Sequence, residues 1–388
     1  TCVYGKVEAA ARFNDRLVEA QAAHGQKCGR LSKAVYMKYS PDGKELISVC
    51  PTHIDDMVQF DTSGSQEEAE KGMRAIGKGV ILKEKSIRPL QFILGRSVHY
   101  LKDGAVAIMR RNKIGDLAKD YDITVKRKLP AKTNTDFHTV VQELETQKTE
   151  SQKKPLREIV GSEQYIAIDR KDIMFTVNNL SRYVSPQLRQ LKHWHVARGL
   201  GGYLLHTRNI AQVFGRNVPK KWRNLLVMYV DSEWCGINGT RYTYGCYIIM
   251  WNGGIVAAKS FIIKLICSST CEAEFVALSE GCKKLRELAM FCEELKFPQR
   301  NCPVFCDNEA AVLLTRDNGP SRGKHMDVRF YFTKDHQKWG YIDIQSIDSK
   351  LNPADMGTKL QVGDLFLDQR TMTGLIDITS ELDEDQRN

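Results

Sequence analysis

Short runs rich in β-branched and aromatic residues mark the second half of the chain, and each predicts a buried strand. Leu225-Leu-Val-Met-Tyr-Val precedes Asp231, Val304-Phe-Cys precedes Asp307, and Tyr341-Ile-Asp-Ile forms a third run. The runs at 244–251 and 255–261 flank Asn252-Gly-Gly, a short hairpin signal. After Ser269-Thr-Cys-Glu272, which resembles a capping box, Leu278, Cys282, Leu285, Ala289 and Cys292 recur at steps of four and three. That spacing predicts one long helix with a single apolar stripe. The order is three antiparallel strands, helix, strand, helix, strand, so the expected fold class is α/β with a mixed sheet.

The first half is less regular. Residues 12–23 read as a helix with Phe13, Leu17 and Val18 inward. Residues 45–60 read as strand, tight turn, strand, with Asp55 and Asp56 in the turn and Pro51 where a strand donor is expected, which fits an edge or a bulge. Residues 129–158 are polar with mixed charges and read as a linker, partly helical over 137–147. Apolar periodicity returns at 159–218, where Pro186 opens a helix carrying Leu188, Leu191, His195, Val196 and Leu200. The expected organisation is a first segment 1–128, a linker 129–158, a helical region 159–218, an α/β domain 222–372 and a frayed polar tail 373–388.

Composition changes this picture little. A length of 388 residues, 42% hydrophobic and 27% charged, is ordinary for a globular protein of two or three domains. A net charge of +10 suits an acidic polymer, an anionic surface or an acidic protein as partner. No apolar run reaches eighteen residues, so no membrane-spanning helix is expected, and no signal peptide is visible. The chain opens at Thr1 without Met, which leaves room for a targeting segment upstream. The eleven cysteines include no Cys-x-x-Cys pair; Cys267/Cys271 and Cys302/Cys306 lack the histidines of a zinc site, so reduced buried thiols in an intracellular compartment are expected.

Four acids carry the candidate chemistry: Asp231, Glu274, Asp307 and Asp355. Asp231 and Asp307 close strands, Asp355 follows the helix-start signal Asn352-Pro353-Ala354, and Glu274 lies four residues before Leu278, hence on the apolar stripe. Reactive groups in open α/β sheets gather beyond the carboxyl ends of strands. A buried carboxylate is costly unless it is paired or metal-bound. Each acid alone reads as a cap, a turn former or a salt-bridged group; four at matched places point to one acidic pocket. Asp55 and Asp56 read as solvated turn formers or as a metal-holding pair.

Five motifs occur in order over about 130 residues: Tyr229-Val-Asp-Ser-Glu-Trp234, Ser269-Thr-Cys-Glu-Ala-Glu-Phe275, Cys306-Asp-Asn-Glu-Ala-Ala311, Lys324-His-Met-Asp-Val-Arg329 and Pro353-Ala-Asp-Met-Gly-Thr-Lys359. Together they resemble the ribonuclease H domain of copia-type retrotransposon Pol polyproteins. The resemblance extends upstream. Tyr4-Gly5 with Ala9 and Phe13, His53-Ile-Asp-Asp56 and Leu94-Gly95 are similar to reverse transcriptase elements, and 165–207 is similar to the connecting region. Departures are plain. Glu8, Ala10, Phe13 and His53 replace the family's Gln, Pro, Trp and Tyr, Glu233 replaces an Asp, and Lys171 replaces a Pro.

The resemblance implies an α+β palm remnant followed by a ribonuclease H-like mixed sheet with helices. It implies metal-dependent hydrolysis of the RNA strand of an RNA–DNA hybrid, with two Mg ions about 3.5–4 Å apart and Mn as a substitute. Asp231 is expected to bridge the ions, with Glu274 and Asp307 on one and Asp355 on the other, and His325 assisting proton movement or product release. Arg182, Arg189, Lys192, Arg198, Lys324 and Arg329 are the expected phosphate-backbone contacts. Asp55 and Asp56 match the polymerase hairpin, but the family's further metal-binding Asp is not in this chain, so no polymerase activity is expected from it alone. The rival expectation is a domesticated, non-catalytic nucleic-acid-binding or scaffold subunit of a larger assembly. His193-Trp-His195 lacks a third ligand at sensible spacing and is expected to pack or hydrogen-bond. The expected location is cytoplasm or nucleus, with an organelle as an alternative.

Overall fold

The computed structural model describes residues 7–54, 56–80, 87–132, 135, 137, 156–185, 191–237, 241–316, 327–361 and 363–382, with only the backbone described at 7–10 and 327–330. The chain divides into two compact units, 1–94 with 288–298, and 95–287 with 299–388.

The first unit holds the helix Val7–Ala23, strands β1 (Lys27–Cys28), β2 (Val35–Tyr39), β3 (Leu46–His53), β4 (Asp56–Met57), β5 (Phe60–Asp61) and β6 (Phe92–Ile93), and the helix Gln66–Gly77. Its core gathers Leu17, Ala20, Tyr36, Cys50, Ile76 and Val80, with Phe13 packed against it. Val18, expected inward, is exposed. The buried pair Leu17 and Ala20 sets the helix phase, and Val18 lies about 100° from Leu17 around the axis. Pro51 does not mark an edge: β3 pairs with β2 on one side and with β4 and β5 on the other. The ladder to β5 involves Ser48 and Val49 and the ladder to β4 involves Thr52 and His53, so Pro51 falls in the gap between two short partners. Its carbonyl still accepts from the Val58 N–H at 3.1 Å.

The second unit is built on a five-stranded sheet in the order β12-β11-β10-β13-β14. These strands are β10 (Leu226–Glu233), β11 (Thr243–Trp251), β12 (Gly254–Ile263), β13 (Cys302–Cys306) and β14 (Ile342–Ser346). β10, β11 and β12 are antiparallel; β13 runs parallel to β10, and β14 parallel to β13. This is the expected mixed α/β sheet. The turn between β11 and β12 has Asn252 at φ 47° and Gly253 at φ 83°, the left-handed pair that a two-residue hairpin demands. The predicted long helix is Thr270–Glu294. Its cap differs in detail from a capping box. Ser269 Oγ accepts the Glu272 N–H at 3.2 Å, but the Glu272 carboxylate reaches back to the N–H and hydroxyl of Ser268, one residue earlier.

A second sheet of this unit runs β15-β9-β8-β7, from β7 (Arg96–Tyr100), β8 (Val106–Met109), β9 (Ile210–Phe214) and β15 (Leu375–Asp377). β15 lies in the stretch read as a polar tail; Arg216 also holds Glu381 there, with two bonds of 2.8 Å. Residues 383–388 lie outside the described residues. Helices Arg111–Asp120, Leu156–Ile166, Met174–Ser181 and Leu191–His206 precede the central sheet. Their residues Ile114, Ile159, Phe175, Leu180 and Leu200 share one core with Tyr244, Ile248, Ala354, Met356 and Phe366. Within it, buried Arg170 forks onto Asp172 at 3.0 and 2.7 Å and donates to the Thr207 carbonyl at 2.9 Å. Tyr203, which donates to Asp172, accepts from Arg370 at 3.1 Å. A buried charge pair of this kind is tolerated because its donors and acceptors are met.

Residues 133–134, 136 and 138–155 of the expected linker, and 186–190 of the expected helix start, lie outside the described residues. His193, not His195, faces inward: its Nε2 is 3.1 Å from the Phe137 carbonyl oxygen and its ring stacks on Tyr183 at 4.2 Å. His195 is exposed. No described disulfide is present, and seven of the ten described cysteines are buried.

A candidate metal centre at the carboxyl ends of the strands

Parallel pairing of β10 with β13 brings the ends of both strands to one edge of the sheet. Asp231 lies in β10, paired with Cys246 of β11, and Asp307 follows the last residue of β13. The long helix begins just beyond β12 and presents Glu274 inward, 4% exposed. Its Oε1 accepts the Ser232 N–H at 3.0 Å, which fixes the helix carboxylate to the strand beside Asp231.

Asp355 arrives on a different device. The element is a short 3-10 helix, Pro353–Gly357, where the sequence signal fits an α-helix start. Asn352 caps it, its Oδ1 accepting the Ala354 N–H at 3.2 Å, while its Nδ2 donates to the Val230 carbonyl at 2.8 Å. The same side chain therefore starts the turn and ties it to the strand next to Asp231. Gly357 lets the turn lie flat against the sheet: a Cβ there would stand 2.2 Å from Cys246 Sγ and 2.6 Å from Met174 Cε. Thr358 Oγ1 donates to Asp231 Oδ2, and Gln361 Nε2 to Asp355 Oδ2 at 3.0 Å.

The result is two overlapping groups of ligand atoms. Asp231, Asp307 and Asp355 form one, and Glu274, Cys306 and Asp307 the other, with the atoms of each within 4.8 Å of one another. Asp231 and Asp355 are buried, and Asp307 is half-buried. Burial, and then the charge of Asp355, pushes the Asp231 carboxyl up to about 8, against the pull of Lys359 and Thr358. Burial first and Asp231 next raise Glu274, with the Ser232 contact opposing. Burial and Asp355 raise Asp307. Burial pushes the Cys306 thiol up, and its S–H donates to Glu274 Oε2 at 3.7 Å. These are groups too crowded to ionise together without a cation.

Lys359 supplies one such charge. Its ammonium is 3.1 Å from Asp355 Oδ1 and 3.9 Å from Glu233 Oε2. Burial works against that charge, yet Asp231 and Asp355 hold its pKa above the ordinary value. Lys359, Thr358, Gln361, Ser232 and Cys306 do not stand out as site residues in the sequence. Lys359 and Thr358 belong to the last of the five motifs, and that is the signal through which they could be found.

The other expected site residues that are described do not join these groups. Asp56 is exposed after the β3 turn and joins no described group of ligands. Arg182 donates to Tyr244 Oη at 3.3 Å and lies over the Tyr183 ring. Arg198 donates to the Asp122 carbonyl at 2.9 Å, and Lys192 is half-buried. Asp55, Arg189, Lys324 and His325, and the side chain of Arg329, lie outside the described residues.

No protein-family model matches the chain. Among curated proteins, it is 27% identical over 305 residues to the Retrovirus-related Pol polyprotein from transposon TNT 1-94 of Nicotiana tabacum, covering 75% of this chain and 22% of that protein. It is 23% identical over 327 residues to the Transposon Ty1-JR2 Gag-Pol polyprotein of Saccharomyces cerevisiae, covering 81% of this chain and 18% of that one. The chain thus spans about a fifth of the length of these relatives. Among solved structures it matches LC11-RNase H1 in complex with an RNA/DNA hybrid, at 17% identity over 34% of this chain and 93% of that chain, with a TM-score of 0.28. It also matches the N-terminal RNase H domain of rv2228c from Mycobacterium tuberculosis, at 13% identity over 38% and 96%, with a TM-score of 0.26. The homologues of this chain are the Pol polyproteins of copia-type retrotransposons.

Proposed function

We propose that the second unit is a metal-dependent ribonuclease H that hydrolyses the RNA strand of an RNA–DNA hybrid. The observation that carries this reading is the convergence of Asp231, Glu274, Asp307 and Asp355, drawn from four separate elements, into two overlapping groups of ligand atoms. The ordered motifs and the homology to retrotransposon Pol polyproteins supply the substrate class.

The residues fit a hard divalent cation. Their carboxylate oxygens are the ligands Mg²⁺ prefers, and Mn²⁺ accepts the same set. The Cys306 thiol, kept protonated by burial, is a poor ligand and serves as a donor to Glu274. As the resemblance implies, Asp231 would bridge two ions; among the ligand groups it stands with Asp307 and Asp355, and Asp307 is the acid common to both groups. Glu274 and Asp307 would hold one ion and Asp355 the other. Bound there, such a pair would supply the means to activate a water and to offset charge on the attacked phosphate and leaving oxygen. The chain's own residues orient the ligands: Ser232 holds Glu274, Thr358 holds Asp231, and Gln361 with Lys359 holds Asp355. No part of this reading rests on His325.

The test is cleavage of an RNA strand paired to DNA, with Mg²⁺ and then Mn²⁺, against the same RNA unpaired. Hybrid-specific products that vanish with a chelator support the reading. An intact hybrid in both metals overturns it.

A further inference from the structure

A cleft of about 240 Å³ lies between the helix Met174–Ser181 and the sheet-edge strand β12. Its polar wall is formed by Gln164, Lys171, Asn178, Ser181, Lys259 and Ser260, and no carboxylate lines it. We propose that this cleft is a second phosphate subsite, which holds a backbone phosphate of the bound nucleic acid other than the one cleaved. The inference rests on the nuclease reading for its geometry and deepens it.

Three observations carry it. The first is register. Asp231 pairs with Cys246, and Cys246 with Ser260, so the three form one row across β10, β11 and β12. Directly opposed residues project to the same face, and two strand spacings put Ser260 about 10 Å from Asp231. Ser260 therefore shares a sheet face with Asp231, with Gly357 and Met174 packed over Cys246 between them, and a phosphate held at the cleft would belong to a part of the backbone that passes around that cover. The buried Cys246 thiol between them responds to Asp231 and Asp355 and also to Lys171.

The second is an uncommitted cation. Lys171 is half-buried, and among the described residues no carboxylate lies within ion-pair distance of its ammonium. Of the two acids nearest in sequence, Asp172 is held by Arg170 at 2.7 Å, and Asp169 by Arg96 at 2.8 Å and by Arg110. Burial lowers the Lys171 pKa and outweighs the opposing charge of Asp169. The third is the donor set. Asn178 Nδ2 donates to Ser260 Oγ and to its carbonyl, both at 3.2 Å, which leaves the Ser260 hydroxyl proton free to donate. An ammonium, a hydroxyl and an amide lining one cleft suit a phosphate oxygen cluster; the Lys259 ammonium is turned instead over the Phe261 ring. Lys171 stands where the resembling motif carries Pro, so the subsite is a feature of this chain.

That departure supplies the variant. Lys171 is the first residue of a 3-10 turn, Lys171–Ile173, and the preceding Arg170 is outside the helical region at φ −102° and ψ 75°. Pro is well tolerated at such a position. Lys171→Pro and Lys171→Gln would be compared with the unaltered chain for hybrid affinity in Ca²⁺ over a range of salt, with thermal unfolding as a folding control. The expected result is about fivefold weaker binding at low salt and a salt slope shallower by roughly 0.7–0.9. Lys171→Arg should restore both. Wild-type affinity and slope in well-folded Lys171→Pro and Lys171→Gln, with hybrid cleavage intact, overturn the subsite alone. Slope loss in the variants of a chain that never cleaves hybrid supports the subsite and overturns the nuclease reading. A chain that binds no nucleic acid overturns both.

Discussion

The acid that follows β3 and the acids at the ends of β10 and β13 occupy equivalent places in sequence, each at the close of an apolar run. Their surroundings differ. Asp56 is exposed on a two-residue strand. Asp231, Glu274 and Asp355 are 2%, 4% and 4% exposed and press on one another. The difference lies in what arrives from elsewhere in the chain. At β10 the parallel partner β13, the long helix and the 3-10 turn each bring a carboxylate to the same edge, and the Asn352 side chain closes the set. An acidic turn becomes a candidate metal centre when topology, not local sequence, supplies the second and third ligands.

The sharpest way to break this comparison is to neutralise one acid on each side. Asp307→Asn should lower hybrid cleavage by at least about 10²–10³-fold while keeping or improving hybrid affinity, because one repulsive charge is removed. Asp56→Asn should leave cleavage unchanged. Equal losses in the two variants would erase the distinction between the two acidic turns.

The next effect is on stability against pH. Asp231 holds its proton up to about 8 in the folded chain, against an ordinary value of 3.8. The folded state then binds a proton that the unfolded state releases, so this stabilisation is full below about pH 4 and is lost as pH rises toward 8. Metal-free protein should lose a few kcal/mol by urea unfolding between about pH 5 and pH 8, and Asp231→Asn should flatten the curve. Mg²⁺ should stabilise more at the higher pH, since its ligands must be deprotonated. A metal-free curve that rises with pH would contradict the crowded arrangement.

Smaller effects probe the supports. Gly357→Ala must push aside Cys246 or Met174, and should cost about 1–3 kcal/mol by urea unfolding. Lys359 is partly exposed, so Lys359→Gln should lower metal-free stability at neutral pH by under about 1 kcal/mol. Its loss leaves the acids less neutralised, so a calorimetric Mg²⁺ titration should show severalfold tighter binding. Weaker Mg²⁺ binding would mean that Lys359 orders the ligands more than it competes for them.

Much of the second unit is legible in its sequence. Strand runs, the Asn252-Gly hairpin and the helix stripe rest on local periodicity, which the backbone dictates residue by residue. The inward placement of Glu274 follows from its spacing to Leu278. What stays hidden is settled at long range. Thr358 meets Asp231 across 127 residues, and no local pattern announces such a bond. Which of His193 and His195 turns inward depends on Tyr183 and the Phe137 carbonyl, and the exposure of Val18 depends on how the helix is rolled onto its core. The Asp355 turn is tied to β10 by the Asn352 side chain, across 122 residues. The sharing of one core by the connecting helices and the central sheet is equally invisible in sequence, because both faces read simply as apolar.

That shared core bears on how portable the candidate nuclease is. Met174, from a helix that precedes the central sheet, touches the glycine beside Asp355, and Asn179 accepts a hydrogen bond from the Tyr244 hydroxyl. A piece cut just before β10 would carry all four acids and every motif, yet would leave Tyr244, Ile248 and Phe366 without the residues that cover them. The smallest transferable module therefore begins well upstream of the four acids, and sequence motifs alone would draw its border in the wrong place.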